Sequence, residues 1–487
     1  MKLESSKSAV RIAGPAARQD GMGLPGKLIL PIVLGTLLNA LNSSMIAVAL
    51  VSIQEGFAGS AGGAPRFDAM WLVSGLYLAT TVSQPTMGRL AERFGARKIF
   101  FMGLIIVLLA SVLAPFAPSL GWLIASRIAL GIGTSAAYPA GMAMIQAWAQ
   151  RHRDGAMPTG GLGAISVAGQ VAVALGPPIG GVLVLVAGWR SIFWVNVPLV
   201  LTALTMAWLW LPVDTVTRGK SLSNTLRDLD LPGIGLFVAT LSGLLLFLQS
   251  LSLQSNWPLL LGTLLSGGLL LLWERRAASP LIDIRMLQEN PALMATYLRC
   301  TATYAVFYAI FYALPKWLEE ARGLSSAEAG LMLLPVAGLG MVSTILATRL
   351  THRSGPRLVL VIGSLMLCAG SVAMSQMAHG IPIWLILMIS VVFGIPNGFN
   401  NLGNQATLYR SAPPNRLGTA SGLYRTAQYV GGSVSFALVG MTLGHPASDG
   451  GLHRLAAVIA VIGILLLLNA CSSKHIDPVE VFLPQQK

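Results

Sequence analysis

Apolar runs of about 20 residues recur along the whole chain, separated by short polar stretches, and each is long enough to cross a bilayer as a helix. Fourteen such segments are predicted, roughly 27–50, 69–87, 98–116, 120–148, 160–187, 191–211, 231–251, 257–273, 293–314, 327–348, 357–377, 382–408, 417–442 and 453–470. Backbone groups in lipid must pair within their own segment, so helices are the expected element. The ten-residue alternation of a membrane barrel is absent. The expected fold class is an all-α polytopic membrane protein with six spans, then two, then six.

Composition agrees with this pattern. Only 10% of residues are charged, against about a quarter in soluble globular chains. The net charge of +14 suggests nucleic acid when taken alone, but its placement excludes that partner. With the N-terminus in the cytoplasm, 24 of the 32 Lys and Arg fall on the cytoplasmic side. Five fall outside (Arg66, Arg190, Lys316, Arg322, Arg454) and three lie within spans (Arg127, Arg299, Arg425). The positive-inside rule predicts this asymmetry, with both termini cytoplasmic. Cys300, Cys368 and Cys471 have no metal spacing and imply no disulfide framework. No nucleophile–base pair, metal motif or phosphate loop is present, so neither an enzyme nor a cofactor is expected.

The chain divides into a cytoplasmic tail (1–26), a six-span block (27–211), a polar cytoplasmic linker (212–230), two added spans (231–275), a second six-span block (276–470) and a cytoplasmic tail (471–487). The added spans are hydrophobic all round and read as lipid-facing. The two blocks echo each other. Gly88-Arg-Leu-Ala-Glu92-Arg93-Phe-Gly95-Ala-Arg97-Lys98 matches Thr348-Arg-Leu-Thr-His352-Arg353-Ser-Gly355-Pro-Arg357 at an offset of 260 residues. Duplicated halves with a substrate site between them are a transporter plan.

Gly88 and Gly95 allow a sharp turn and close helix approach. Glu92 can sit against a helix N-terminus and a guanidinium such as Arg93 or Arg97, which makes a conformational latch. A solvated charge cluster is the plainer alternative. In span 5, Gly176-Pro177-Pro178-Ile179-Gly180-Gly181 combines a proline kink with glycines for tight packing.

The Gly88–Lys98 loop resembles the loop 2–3 signature of the major facilitator superfamily, with Glu92 where that family usually has Asp. Arg127-x-x-x-Gly131-x-Gly133 in span 4 resembles a second signature, and the span 5 motif resembles the antiporter signature that marks exporters. Gly188-Trp189-Arg190-Ser-Ile-Phe193-x-x-Asn196-x-Pro198 resembles span 6 of the 14-span drug:proton antiporter family. The resemblance covers about residues 27 to 470 and implies a monomeric bacterial inner-membrane exporter of small hydrophobic compounds, working in membrane lipid in exchange for protons. It also links Arg127 to proton transfer; a structural arginine bonded to carbonyls is the other reading. In span 1 the family usually carries a membrane aspartate, where this chain has Asn42. An amide hydrogen-bonds but cannot carry a proton charge.

Polar span residues mark a candidate path: Asn42, Gln170, Arg299, Tyr304, Tyr308, Asn397, Asn400, Asn401 and Arg425. Tyr304, Tyr308 and Tyr312 recur every four residues and share a helix face. Interhelical hydrogen bonding is the plainer reading of any one of them. Such a path is aromatic, amide-rich and positive, favouring neutral or anionic substrates over cationic dyes. Proton coupling then falls to a carboxylate near a span end, Asp68 first. Two further readings stand beside drug export: a dedicated exporter of one neutral or anionic metabolite with weak or no proton coupling, and a non-transporting sensor or scaffold.

Overall fold

The computed structural model describes residues 25–57, 66–152, 159–214, 230–251, 256–277, 280–282, 284–324, 326–413, 416–444 and 446–472. These residues are almost entirely helical. The first block comprises α1 (Gly26–Phe57), α2 (Arg66–Phe94), α3 (Ala96–Leu113), α4 (Leu120–Thr134), α5 (Ala137–His152), α6 (Thr159–Ala187), α7 (Ser191–Trp194) and α8 (Asn196–Trp210). The added pair is α9 (Leu231–Ser250) and α10 (Trp257–Glu274). A short α11 (Ile284–Glu289) leads into the last block: α12 (Pro291–Arg322), α13 (Ser326–Leu331), α14 (Leu334–Met374), α15 (Ile383–Ser411), α16 (Leu417–Leu443) and α17 (Asp449–Ser472).

Polar residues fix the helix starts. Ser119, Asn256 and Asn290 accept from the backbone N–H three residues on, capping α4, α10 and α12. Asp214 accepts from the N–H groups of Arg97 and Lys98 at 3.0 and 3.1 Å. It thereby caps α3 from beyond α8. Large apolar side chains point outward where lipid would lie: Leu185, Val186, Trp208, Leu265 and Met441 are all exposed. On a protein in water such a surface would be an aggregation liability.

The internal repeat reappears in the backbone. Gly95 has φ 108° and Gly355 has φ 79°, left-handed values that glycine adopts without strain. They stand 260 positions apart, at the turns after equivalent helices. α14 runs hydrogen-bonded through its turn, with Gly355 non-helical inside it. Its 41 residues would extend about 62 Å if straight, twice a hydrocarbon core. The non-helical Gly355 divides it into two helical segments.

Nine described helices are long and apolar enough to cross a membrane, or ten with the bent α6. That is fewer than the fourteen segments read from the sequence, for identifiable reasons. α2, α12 and α16 carry polar side chains for much of their length, and α14 passes only as one unit. Span 4 is also divided, with a break at Ser135–Ala136 between α4 and α5.

The blocks meet along α2 and α5 against α16, and along α6 against α14 and α15. One apolar core runs across the α5–α16 seam, uniting Phe100, Tyr138 and Met142 with Tyr297, Tyr409 and Tyr424. α9 and α10 pack mainly on each other, and α9 touches α2 and α16.

Candidate functional site: an interblock latch below an aromatic wall

Glu92 lies beyond the apolar stretch of α2, at the end of the bundle where α16 begins. Its Oε1 accepts from the Thr419 N–H at 2.6 Å and its Oε2 from the Thr419 hydroxyl at 2.9 Å. One carboxylate thus closes on the first turn of a helix from the other block, where backbone N–H groups lack helical partners. Burial pushes the Glu92 carboxyl above its ordinary value, against the pull of the Thr419 bonds, Arg89 and Arg416. Beside it, a side chain at Gly88 would collide with the Gly418 carbonyl. One at Gly422 would meet the backbone of Gln84 and Pro85. The two helices therefore touch backbone to backbone.

The rest of the loop turns away from this seam. Gly95 needs its positive φ, and any Cβ there would strike Asp214. Arg97 donates to the Trp208 carbonyl at 2.8 Å, binding the loop to α8. Arg93 is half-buried at the same turn.

Further from the latch, Tyr304, Tyr308 and Tyr312 form a ladder along α12. Successive ring centroids are 6.1 and 5.9 Å apart, and Phe436 of α16 stacks on the last ring at 4.7 Å. Tyr77 of α2 meets Tyr429 edge-on at 5.7 Å. The Tyr429 hydroxyl donates to Asn39 of α1 at 2.7 Å, crossing between blocks. Arg425 stands at the latch-side foot of this aromatic wall, its guanidinium 3.9 Å from the Tyr138 ring centre. On the opposite seam Gln170 donates to Thr344 at 2.6 Å and accepts from Asn397 at 3.5 Å. Asn397 and Asn400 border a small cavity of about 20 Å³ with Thr303, Phe307 and Phe393. Gln170, Tyr304, Tyr308, Asn397 and Arg425 therefore gather between the blocks.

Other candidates lie elsewhere. Asn42 is sealed inside the first block, where it and Asn196 donate to each other at 2.8 and 2.9 Å. Arg127 is fully buried and donates to the carbonyls of Leu72 and Asn42 at 3.1 Å. Arg299 sits inside the last block, bonded to Asn404, Asn469, Thr296 and Thr407. Asn401 is buried and accepts from Gln405. The span 5 motif packs α6 against α1: a Cβ on Gly176 would overlap the Ser44 hydroxyl. α6 bends by 46° between Val173 and Pro178. Pro177 lies within that bend, Gly180 is buried, and Gly181 has open space around it. Asp68 falls in α2, but its side chain lies outside the described residues, as do both tails and most of the 212–230 linker.

Three partners escaped the sequence reading: Thr419, Tyr138 and Asp214. Thr419 carries a findable signal, because it opens α16 at the same depth as Glu92 closes α2. Tyr138 and Asp214 carry none, being a lone tyrosine after a helix break and an acid in a polar linker.

Two helical blocks, closed at one end by a charged loop and meeting along polar and aromatic seams, define a polytopic membrane transporter. The Major Facilitator Superfamily profile matches residues 32–436. The chain belongs to that superfamily. It is similar to the uncharacterized MFS-type transporter YwoD of Bacillus subtilis, with 32% identity covering 90% of this chain and 94% of YwoD. It is also similar to the tetracenomycin C resistance and export protein of Streptomyces glaucescens, with 27% identity covering 88% of this chain and 77% of that one. The human organic anion transporter MFSD10 shares the fold at a TM-score of 0.65 and 16% identity, covering 91% of this chain and all of that one.

Proposed function

We propose that the protein is a secondary active exporter of small hydrophobic compounds, drugs or metabolites, that works by alternating access in exchange for protons. It sits in the bacterial inner membrane as a fourteen-span monomer with both termini and the Glu92 latch on the cytoplasmic side. The observation that carries this reading is the Glu92–Thr419 closure across the α2–α16 seam. A contact between blocks that a single carboxylate closes at the end of a seam can be made and broken, which a static scaffold does not need. The aromatic wall above it offers an apolar surface with a few polar anchors, the usual character of a small-molecule site. Similarity to an antibiotic export protein supports the export direction.

A second reading has its own support. The Asn42–Asn196 pair replaces the usual span 1 acid with a neutral, fully paired amide. This favours a dedicated exporter of a neutral or anionic metabolite with weak or no proton coupling. Purified protein in proteoliposomes separates the two, using tetracenomycin C, a neutral antibiotic and ethidium with and without an imposed pH gradient. Export that follows the gradient supports exchange for protons. Export indifferent to the gradient supports the second reading, and no export of any compound refutes both. Strong ethidium export with the other two ignored contradicts a path that disfavours cations.

A further inference from the structure

Arg425 has no ion-pair partner among the described residues; the hydroxyls of Tyr138, Tyr304, Tyr424 and Tyr429 surround its charge. Its only described hydrogen bond is the one its guanidinium donates to Gln428 Oε1 at 2.9 Å. Arg425 Nε and the Tyr138 hydroxyl are sealed from solvent and lack a hydrogen-bond partner, and Gln428 Nε2, equally sealed, has only the weakly accepting Cys300 thiol beside it. The two nitrogens only donate, and the hydroxyl donates once it meets an acceptor. A buried donor left without a good acceptor is costly, and three at one cation are costlier. The missing complement is an acceptor carrying negative charge. Arg is the side chain best suited to hold one, through a planar fork.

We propose that Arg425, Gln428 and Tyr138 form the acid-group subsite of the transport path, taking the carboxylate or phenolate of an amphipathic aromatic anion. The body of that ligand lies along the Tyr304–Tyr308–Tyr312–Phe436 ladder. This rests on the reading of the interblock aromatic wall as a path for small hydrophobic compounds and narrows its substrate class. The ladder's three tyrosines span eight residues of helix, about 12 Å, enough for two or three fused rings. In the described state the Tyr138 ring, from the first block, lies over the guanidinium, from the last block. A ligand's acid group reaches the fork when that ring slides off the guanidinium face, which leaves the Tyr138 hydroxyl free to donate to it. Binding an anion therefore replaces a direct ring–cation contact between the blocks with one made through the ligand.

Direct binding to the full chain in nanodiscs tests this, with 1-pyrenebutyrate as the anion and 1-pyrenebutanol as its neutral counterpart. The expected result is a preference for the acid of at least about tenfold in Kd. Arg425→Gln should abolish the preference while leaving butanol binding within about twofold. Arg425→Lys, which keeps the charge but not the fork, should restore part of it. Tyr138→Phe should weaken only the acid and serves as the milder variant if Arg425→Gln fails to fold. Equal binding of the two probes to the wild type overturns the proposal, as does an acid preference that survives Arg425→Gln. If neither probe binds the wild type, the path reading itself fails, which is a separate result from equal binding.

Discussion

Asn42 and Asn196 form a closed amide pair, each donating to the other's carbonyl oxygen across the α1–α8 contact. Asn42 also donates to the Leu38 carbonyl, and its own backbone carbonyl accepts from Arg127. All its polar atoms are paired inside one block. Asn42 is thus a packing element of the first block.

Asn42→Asp should therefore destabilise rather than simply restore coupling. A carboxylate there would face the Asn196 and Leu38 oxygens without a donor, at a cost of about 1–3 kcal/mol. The protonated acid can still donate to one of them. The melting temperature of the variant should fall, and fall further at pH 8 than at about pH 5. A variant as stable as wild type at both values would contradict the pairing.

Gly88→Ala should separate the blocks at the latch end, because its Cβ has no room beside the Gly418 carbonyl. Overpacking of this kind costs about 1–3 kcal/mol, enough to lower the closed population about fivefold or more. Thiol labelling at an introduced cysteine in the first turn of α16 should accelerate accordingly. Gly181→Ala, with open space around it, should change nothing.

The latch should also respond to pH. Burial raises the Glu92 carboxyl in the closed state above its solvated value of 4.5. The closed state then binds the proton more tightly than the open one, so closure is favoured as pH falls and loses that contribution as pH rises through the raised value. Spin labels placed across the α2–α16 seam should report a shorter mean distance at about pH 5 than at pH 8. Glu92→Gln, which can still meet Thr419, should flatten the dependence.

Arg299 and Arg425 should behave differently although the sequence presents both as lone arginines within spans. Arg299 is hydrogen-bonded to four side chains inside the last block. Arg299→Leu should cost on the order of 3 kcal/mol of stability by stranding those partners. The apparent KM of whatever folded protein remains should hardly move. A selective change in KM with stability intact would place Arg299 on the path.

The contrast shows what the sequence could reveal. Segment positions were legible in part, because bilayer thickness sets a minimum length for an apolar span, and nine or ten described helices meet it. The repeat was legible because Gly95 and Gly355 occupy a backbone conformation that selects glycine, leaving a mark in each block. Partners distant in sequence were not legible. Asn42 and Asn196 are 154 positions apart, and Glu92 and Thr419 are 327 apart. Helical period places Tyr304, Tyr308 and Tyr312 on one face, but only the packing of α12 against α16 shows what that face meets. The same limit separates Arg299 from Arg425.

The most direct test asks whether the latch must open for transport. Glu92→Cys and Thr419→Cys, in a background lacking Cys300, Cys368 and Cys471, place one thiol on each block. A short bifunctional methanethiosulfonate should join them through two disulfides, releasing sulfinate, and export into proteoliposomes should stop and then return on reduction. Export that continues with the two blocks covalently joined would contradict alternating access about this seam.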